Sequence, residues 1–164
     1  MNTDPVIYQE KKTSKLIIIV LSLFALYFGF SYFYQGVLKL GPIGTRPAPD
    51  HFYLGFAIFM ILCLFAFKTL TITITTAAVI IGFNKFITHR IKFQDIAKIT
   101  LDDKFYGGIG LRVRLVKGKL RIAYNVGSPR VVISLKNKGK EIAFSTDQPE
   151  QVIKIIEGKY HEEY

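Results

Sequence analysis

Two long apolar runs stand out in the pattern of hydrophobic and polar positions along the chain. Residues 16–34 read LIIIVLSLFALYFGFSYFY, and no charged residue follows until Lys39. Residues 52–67 read FYLGFAIFMILCLFAF and precede Lys68, whose ammonium group can reach lipid headgroups from a helix end. Because about 20 predominantly apolar residues span a bilayer core as a helix, we predict transmembrane helices over residues 16–36 and 52–68.

Two other interpretations of these runs fit less well. A pair of buried core helices would need a larger surrounding domain than the remaining chain can supply. A cleaved signal peptide has a shorter apolar core than residues 16–34 and ends at a small-residue cleavage site, which the sequence lacks. We therefore expect an antiparallel helical hairpin that stays in the mature protein.

The basic residues around the two runs predict the orientation of the hairpin. The connecting segment, residues 37–51, is rich in proline and glycine and carries fewer basic residues than the outer flanks. The flanking basic residues are Lys11, Lys12, Lys15, Lys68, Lys85 and Arg90, against Lys39 and Arg46 in the connection. The positive-inside rule then predicts a multi-pass protein of the cell (inner or plasma) membrane. Residues 1–15 and the C-terminal part would be cytoplasmic, and residues 37–51 would form an extracytoplasmic loop.

Beyond the second run, the pattern changes to an alternation with a period of two. Leu70, Ile72 and Ile74 alternate with threonines, which predicts a half-buried strand over residues 69–75, beginning where the second helix ends. Further predicted strands, separated by Gly, Asn and Pro turn signals, cover residues 79–83, 86–92, 96–101, 111–116, 119–125, 131–136 and 141–145. Short strands at this spacing indicate an antiparallel sandwich or small barrel of about seven strands.

The end of the chain returns to a helical period. Thr146 or Asp147 can cap a helix, Pro149 fits its first turn, and apolar residues recur at positions 152, 153, 155 and 156. Gly158 is expected to end this helix, which leaves residues 159–164 as a short tail. Residues 69–158 are thus predicted to form one cytoplasmic domain.

Several segments of this domain, in their order, resemble the PH-like (pleckstrin-homology-like) domains of small bacterial membrane proteins. After the two-helix hairpin and a strand pair come IKFQDIAKITLD, YGGIGLRVR, AYNVG, VVISLKNKGKEIAFSTDQP and the terminal EQVIKIIE. The resemblance covers about residues 68–158 and implies a bent antiparallel sheet closed by a C-terminal helix. PH-like domains serve as lipid-headgroup readers, protein-binding modules or assembly platforms, and the bacterial members are mostly uncharacterised. The resemblance therefore implies a fold and not an activity.

The positive charge of the chain is concentrated in this domain. The formal net charge is +10, and ten basic residues but no acidic one occur from position 104 to position 140. They are Lys104, Arg112, Arg114, Lys117, Lys119, Arg121, Arg130, Lys136, Lys138 and Lys140. Near an anionic membrane surface a basic residue contributes about 1 kcal/mol of binding. The excess predicts contact with anionic lipid headgroups or with an acidic protein, and the competing explanation is solubility together with the positive-inside bias.

The alternation of residues 111–115 places the aliphatic side chains on one face and Arg112 and Arg114 on the other. Arg121 repeats this pattern in the next predicted strand, so the three arginines are expected on one solvent-facing sheet surface. Like charges opposite each other destabilise a sheet, which indicates a compensating anion or an acidic neighbour.

A glycine-rich stretch just before these arginines is the second candidate for anion binding. Lys104 lies beside Gly107 and Gly108, whose main-chain N–H groups could approach an anion closely. The helix and lysine of a phosphate-binding loop are missing. A tight turn or bulge between two strands is therefore the competing interpretation.

The sequence offers no recognisable catalytic centre. Asp102 and Asp103 would point to opposite faces of a strand, so we expect a turn role for them and no shared metal or acid–base site. His51, His89 and His161 lack metal-ligand spacing, and no serine stands in a nucleophile motif. No nucleic-acid-binding motif accompanies the basic charge. We therefore expect no enzyme, no metal, no cofactor and no nucleic-acid partner.

These features predict a non-enzymatic integral membrane protein whose basic PH-like domain is an interaction or assembly module at the cytoplasmic membrane face. The first alternative is a small accessory subunit of a larger membrane complex, for which the spacing of Ala25 and Gly29 would suit helix contacts. A lipid-modifying enzyme or transporter component is the alternative of a different class. It is disfavoured because the predicted membrane segments contain no acid or base.

Overall fold

The computed structural model describes residues 4–44, 48–84, 87–102, 110–116, 118–136 and 139–162, which belong to two compact units. The helical unit is Lys15–Lys68. The β unit combines the segment up to Ser14 with the chain from Thr69 onward. The helical unit is therefore inserted, in sequence, within the β unit.

The helical unit consists of two long helices. Helix α1 spans Lys15–Tyr32 and continues into a π-helical turn, Phe33–Val37, and α2 spans Asp50–Phe67. The segments Lys15–Val37 and Asp50–Phe67 are each long and apolar enough to cross a membrane. Their ends lie within two residues of the predicted ends. The helices pack through aromatic contacts, with the ring centroids of Phe28 and Phe56 5.0 Å apart.

Gln35, in the π-helical turn, joins the two helices on the side of their connection. Its Nε2 donates to the Ala48 carbonyl oxygen at 2.9 Å and to Asp50 Oδ1 at 2.8 Å, and its Oε1 accepts from the Ile43 N–H at 3.3 Å. In the described part of the chain, a Cβ added to Gly29 would meet no atom within 4 Å. The Ala25 and Gly29 spacing therefore does not mark a close approach to α2.

The first sheet of the β unit is an antiparallel meander of four strands. Its strands are β1 (Val6–Thr13), β2 (Thr69–Thr75), β3 (Ala78–Phe83) and β4 (Ile87–Lys92), in the order β1-β2-β3-β4. β2 starts two residues after α2 ends, as the sequence predicted. β1 was not predicted, and it places Thr13 opposite Thr69. The helical hairpin thus takes the place of the turn between β1 and β2.

The second sheet has five strands and is not a meander. The strands are β5 (Ile96–Asp102), β6 (Gly110–Val116), β7 (Lys119–Asn125), β8 (Arg130–Leu135) and β9 (Lys140–Ser145), in the order β5-β8-β9-β7-β6. β9 lies between β8 and β7 and runs parallel to β7. The prediction of a wholly antiparallel domain was therefore wrong for this pair. The predicted total of about seven strands was also too low, since the described residues form nine.

A C-terminal helix and both sheets enclose the core. α3 spans Pro149–Glu162 and contacts β5 and β8, with Val152 and Ile156 fully buried. The predicted start at Pro149 is confirmed. The predicted end at Gly158 was wrong, because the helix continues to Glu162. The largest fully buried side chains are Phe83, Phe93, Phe144, Leu70, Ile72, Ile74, Ile81, Ile96, Ile133, Ile142, Ile156 and Val79.

β1 is held to the rest of the β unit by polar contacts as well as by its pairing with β2. Glu10 accepts hydrogen bonds from the Tyr8 hydroxyl at 2.9 Å, from the Asp147 N–H at 2.7 Å and from the Thr146 hydroxyl. Lys12 Nζ lies 2.6 Å from Asp147 Oδ1. These contacts join the N-terminal strand to the residues that lead into α3.

Candidate anion-binding site

Four arginines from three strands of the second sheet line a cavity of about 100 Å³. They are Arg112 and Arg114 on β6, Arg121 on β7 and Arg130 on β8, and Val116, Ala123 and Asn125 complete the lining. We call this the arginine cavity. Arg114 lies directly opposite Arg121, and Arg112 lies opposite Ala123, so the period-two alternation of both strands brings the basic groups to one face.

Two carboxylates hold two of the arginines. Arg121 donates to Glu141 Oε2 from Nε at 2.9 Å and from Nη2 at 2.6 Å. Asp102 Oδ2 accepts from Arg130 Nη2 at 2.7 Å and from Arg121 Nη1 at 3.4 Å. Charge-assisted bonds of this kind fix both guanidinium groups in position.

Glu141, on β9 beside Arg121, carries a perturbed carboxyl group. Burial raises its pKa, but hydrogen bonding and charge from Arg121, with Lys119 Nζ at 3.7 Å and the Ser134 hydroxyl, outweigh burial. The pKa of Glu141 therefore lies below its ordinary value of 4.5. The carboxylate is charged at neutral pH and remains paired with Arg121.

Arg130 forms the buried wall of the arginine cavity. It is only 4% exposed, and its Nη1 donates to Asn125 Oδ1 at 3.3 Å. A charged side chain is rarely this buried unless it is paired and hydrogen-bonded. Asp102 and Asn125 supply these contacts, which makes Arg130 a rigid donor group.

Arg112 and Arg114 are different, because neither makes an ion pair with any carboxylate of the described residues. Four guanidinium groups thus line the cavity, and two carboxylates, Asp102 and Glu141, pair with two of them. Small buried side chains, Ala123, Val132 and Ala143, form a cluster in the same part of the sheet. An oxyanion that enters the cavity would meet planar donor groups suited to bidentate contacts.

The structure brings together three of the six residues predicted for anion binding. Arg112, Arg114 and Arg121 all line the arginine cavity. Lys104, Gly107 and Gly108 lie outside the described residues. A role of the three arginines in binding stays a prediction.

Sequence reasoning missed three residues that shape the cavity. Asp102 was expected in a turn, which was wrong, because it is the last residue of β5 and bonds to two arginines. Arg130 and Glu141 were not singled out. The acidic neighbour expected from the opposed charges is present for Arg121, but only the pairing of β9 with β7 brings Glu141 there.

The opposite face of β6 is apolar and exposed. Leu111, Val113 and Leu115 are 39%, 60% and 77% exposed. β6 is an edge strand of the second sheet. One strand therefore presents exposed aliphatic side chains on one face and the arginine pair on the other.

Other parts of the described chain bring fewer charged or reactive side chains together. An open groove of about 650 Å³ on the first sheet is lined mainly by polar side chains, four of them threonines, with Lys11 as its charged residue. No three His, Cys, Asp or Glu side chains of the described residues are grouped as metal ligands would be. The arginine cavity is therefore the strongest candidate site.

Comparison with known proteins assigns no family to this chain. No protein-family model, curated protein or solved structure matches it. The resemblance to PH-like domains therefore stays a prediction.

Proposed function

We propose that this chain is a non-enzymatic integral membrane protein whose β unit is an interaction module for anionic phospholipid at the cytoplasmic membrane face. The observation that carries the proposal is the pair Arg112 and Arg114. Their charge is not balanced by any carboxylate of the described residues, and they stand on a strand whose other face is aliphatic and exposed.

The chain connectivity supports a location at the membrane surface. α1 begins two residues after β1, and α2 ends two residues before β2, so no flexible linker separates the membrane-capable helices from the sheet. A module tethered this closely meets lipid at a high effective concentration. Weak contacts of about 1 kcal/mol for each basic residue are then sufficient for docking.

The composition of β6 supports lipid as the partner. Because β6 is an edge strand, its edge can approach the membrane so that Val113 and Leu115 gain free energy in the apolar part of the interface on one face, while the arginines of the other face bind phosphate groups.

The PH-like resemblance is part of this proposal. A four-stranded antiparallel meander, a second sheet and a C-terminal helix agree with it. The parallel pairing of β7 with β9 departs from it.

A tryptophan reporter tests the docking. The chain contains no tryptophan, so Leu115→Trp in the full chain provides a single emission signal from β6. In nanodiscs we expect its emission to shift to the blue when phosphatidylglycerol replaces part of the phosphatidylcholine. We also expect about 0.5 M salt to reverse the shift, because screening is then strong within a few ångströms.

A matched reporter at Ile7, an exposed apolar residue of β1, serves as the control. Ile7→Trp should show a smaller response to the lipid charge. Identical emission of the Leu115→Trp chain in neutral and anionic discs would rule the proposal out.

The orientation has its own test. With Cys63 replaced by serine, a cysteine introduced at Ile43, in the connection of the helices, should react with an impermeant reagent only from the extracytoplasmic side. Labelling from the cytoplasmic side alone would invert the proposed topology.

A further inference from the structure

We infer that the arginine cavity binds one phosphate group in its doubly charged form, as carried by a phosphomonoester or by free phosphate. This inference rests on the proposed function, since it names the anionic group that the module binds. It assigns the cavity to a ligand class and separates this binding from general attraction to a charged surface.

The size of the cavity limits the ligand to a single group. The volume of the cavity is about 100 Å³. Sites that enclose a whole small molecule measure about 300–1,000 Å³. A tetrahedral oxyanion fits the available space, and whatever carries it must remain outside.

The charge of the cavity favours a dianion over a carboxylate. Glu141 and Asp102 already neutralise two of the four guanidinium groups by direct contact. The charges of Arg112 and Arg114 remain in excess among the described residues, and a phosphomonoester near neutral pH supplies about −1.5 to −2. A phosphodiester or a carboxylate would supply a single negative charge.

Two of the four donor groups are fixed before any ligand arrives. Arg121 is held by two bonds to Glu141, and Arg130 is buried and bonded to Asp102 and Asn125. Preorganised donors lose little conformational entropy on binding. Arg114 lies directly opposite Arg121, whose charge Asp102 and Glu141 already offset, so an anion between the two would pair with the unbalanced charge of Arg114.

The test measures phosphate binding to the full chain in phosphatidylcholine nanodiscs. Inorganic phosphate and glycerol 3-phosphate are titrated against chloride at constant ionic strength, with calorimetry and the thermal midpoint of the β unit as readouts. The wild-type chain should bind both probes and should unfold at a higher temperature in their presence. Absence of binding to either probe would overturn the inference.

Two double variants distinguish phosphate binding in the cavity from a general attraction of phosphate to the positive charge of the chain. Arg112→Gln with Arg114→Gln should weaken phosphate binding roughly a hundredfold, because each removes a charged donor. Lys92→Gln with Lys154→Gln removes the same charge from exposed positions on β4 and α3 and should bind as the wild type does. An equal loss in both double variants would contradict a specific site.

A variant that preserves both charges controls for the possibility that weaker binding results from loss of the fold. Arg112→Lys with Arg114→Lys keeps both charges but loses the planar fork, and it should bind phosphate about tenfold more weakly than the wild type. The ligand-free thermal midpoints of all variants should stay close to that of the wild type, because none of the replaced residues makes an ion pair within the described residues. Unchanged phosphate binding by the lysine variant would contradict bidentate contacts.

Nanodiscs of different lipid composition distinguish a lipid headgroup from a soluble compound as the source of the phosphate. Discs that contain phosphatidic acid, a phosphomonoester, should compete with soluble phosphate more strongly than phosphatidylglycerol discs do if a headgroup fills the cavity, because a phosphodiester offers the same arginines only one negative charge. Soluble binding without competition assigns the cavity to a free phosphate compound. A lipid-dependent shift in the emission of Leu115→Trp without any phosphate binding would overturn only the inference of a phosphate site. Phosphate binding without that emission shift would overturn only the docking proposal.

Discussion

Replacement of Glu10 by alanine tests whether β1 is an integral part of the β unit. The Glu10 carboxylate accepts hydrogen bonds from the Tyr8 hydroxyl, the Thr146 hydroxyl and the Asp147 N–H. It thereby connects the first strand of the chain to the residues before α3. Alanine keeps the strand pairing of β1 but removes all three acceptor contacts.

The expected cost follows from these three contacts. A hydrogen bond to a charged group contributes about 1.5–3 kcal/mol, and partial exposure lets water replace some of each. We therefore expect Glu10→Ala to lower the free energy of unfolding of the β unit by about 3–4 kcal/mol. This is a large share of the roughly 5–15 kcal/mol that stabilises a typical domain.

Hydrogen exchange of the full chain, followed on peptides from β2 and α3, measures this free energy locally. Gln9→Ala is the matched control, because Gln9 is adjacent in β1 but faces the open groove. It should change the opening free energy by less than about 0.5 kcal/mol. If Glu10→Ala and Gln9→Ala cost the same, the polar connection does not stabilise the fold.

The ionisation of Tyr8 gives the same variant a second readout. Burial, then the hydrogen bond and charge of Glu10, raise the pKa of Tyr8 to about 12. A raised pKa means that this group stabilises the fold fully below about pH 10 and that the contribution is lost as the pH rises through 12. Without Glu10, an absorbance titration should show a lower Tyr8 pKa.

Other contacts in the β unit give equally direct tests. A Cβ added at Gly82 would lie 2.3 Å from a main-chain carbonyl oxygen of β4, so Gly82→Ala should destabilise the β unit by about 1–3 kcal/mol. Gly158→Ala, with open space around it in α3, should instead be neutral or stabilising by up to about 1 kcal/mol, and hydrogen exchange compares the two. Because the pKa of Glu141 is lowered, its ionised carboxylate stabilises the β unit fully above pH 4.5, and this contribution is lost as the pH falls through the lowered pKa. The Glu141→Gln variant should therefore lose less stability than the wild type when unfolded by acid. Because Thr13 pairs with Thr69, replacing residues 15–67 by an Asn-Gly turn should give a soluble folded β unit by size exclusion and exchange. A chain that starts at Thr69 should lose protection in β2, and equal protection would contradict the role of β1.

The helices and strands whose hydrophobic positions repeat with a clear period could be predicted from the sequence. The two apolar runs, the strands after residue 69 and the start of α3 each carry a local pattern of hydrophobic positions that fixes their type. The same alternation placed Arg112, Arg114 and Arg121 on one face. These predictions depend on the direction of side chains along a strand, which is a local property.

The missed features depend on tertiary contacts. The half-buried side of β1 carries Tyr8, Glu10 and Lys12. Glu10 and Lys12 contact residues that precede α3, and Tyr8 donates to Glu10, so residues 6–13 showed no apolar alternation. The insertion of β9 between β7 and β8 leaves no local signal, since the period of a strand is the same whichever neighbour it pairs with. The partners of Asp102 and Glu141 could not be predicted for the same reason.

Contact between β6 and anionic lipid is the central claim of the account, and quenching by brominated lipid tests it most directly. The full chain with Leu115→Trp is placed in nanodiscs that contain equal amounts of bromine, on phosphatidylglycerol in one sample and on phosphatidylcholine in the other. We predict stronger quenching by brominated phosphatidylglycerol, and loss of this preference when Arg112→Gln and Arg114→Gln are added. Equal quenching by the two lipids, with or without the arginines, would contradict the claim.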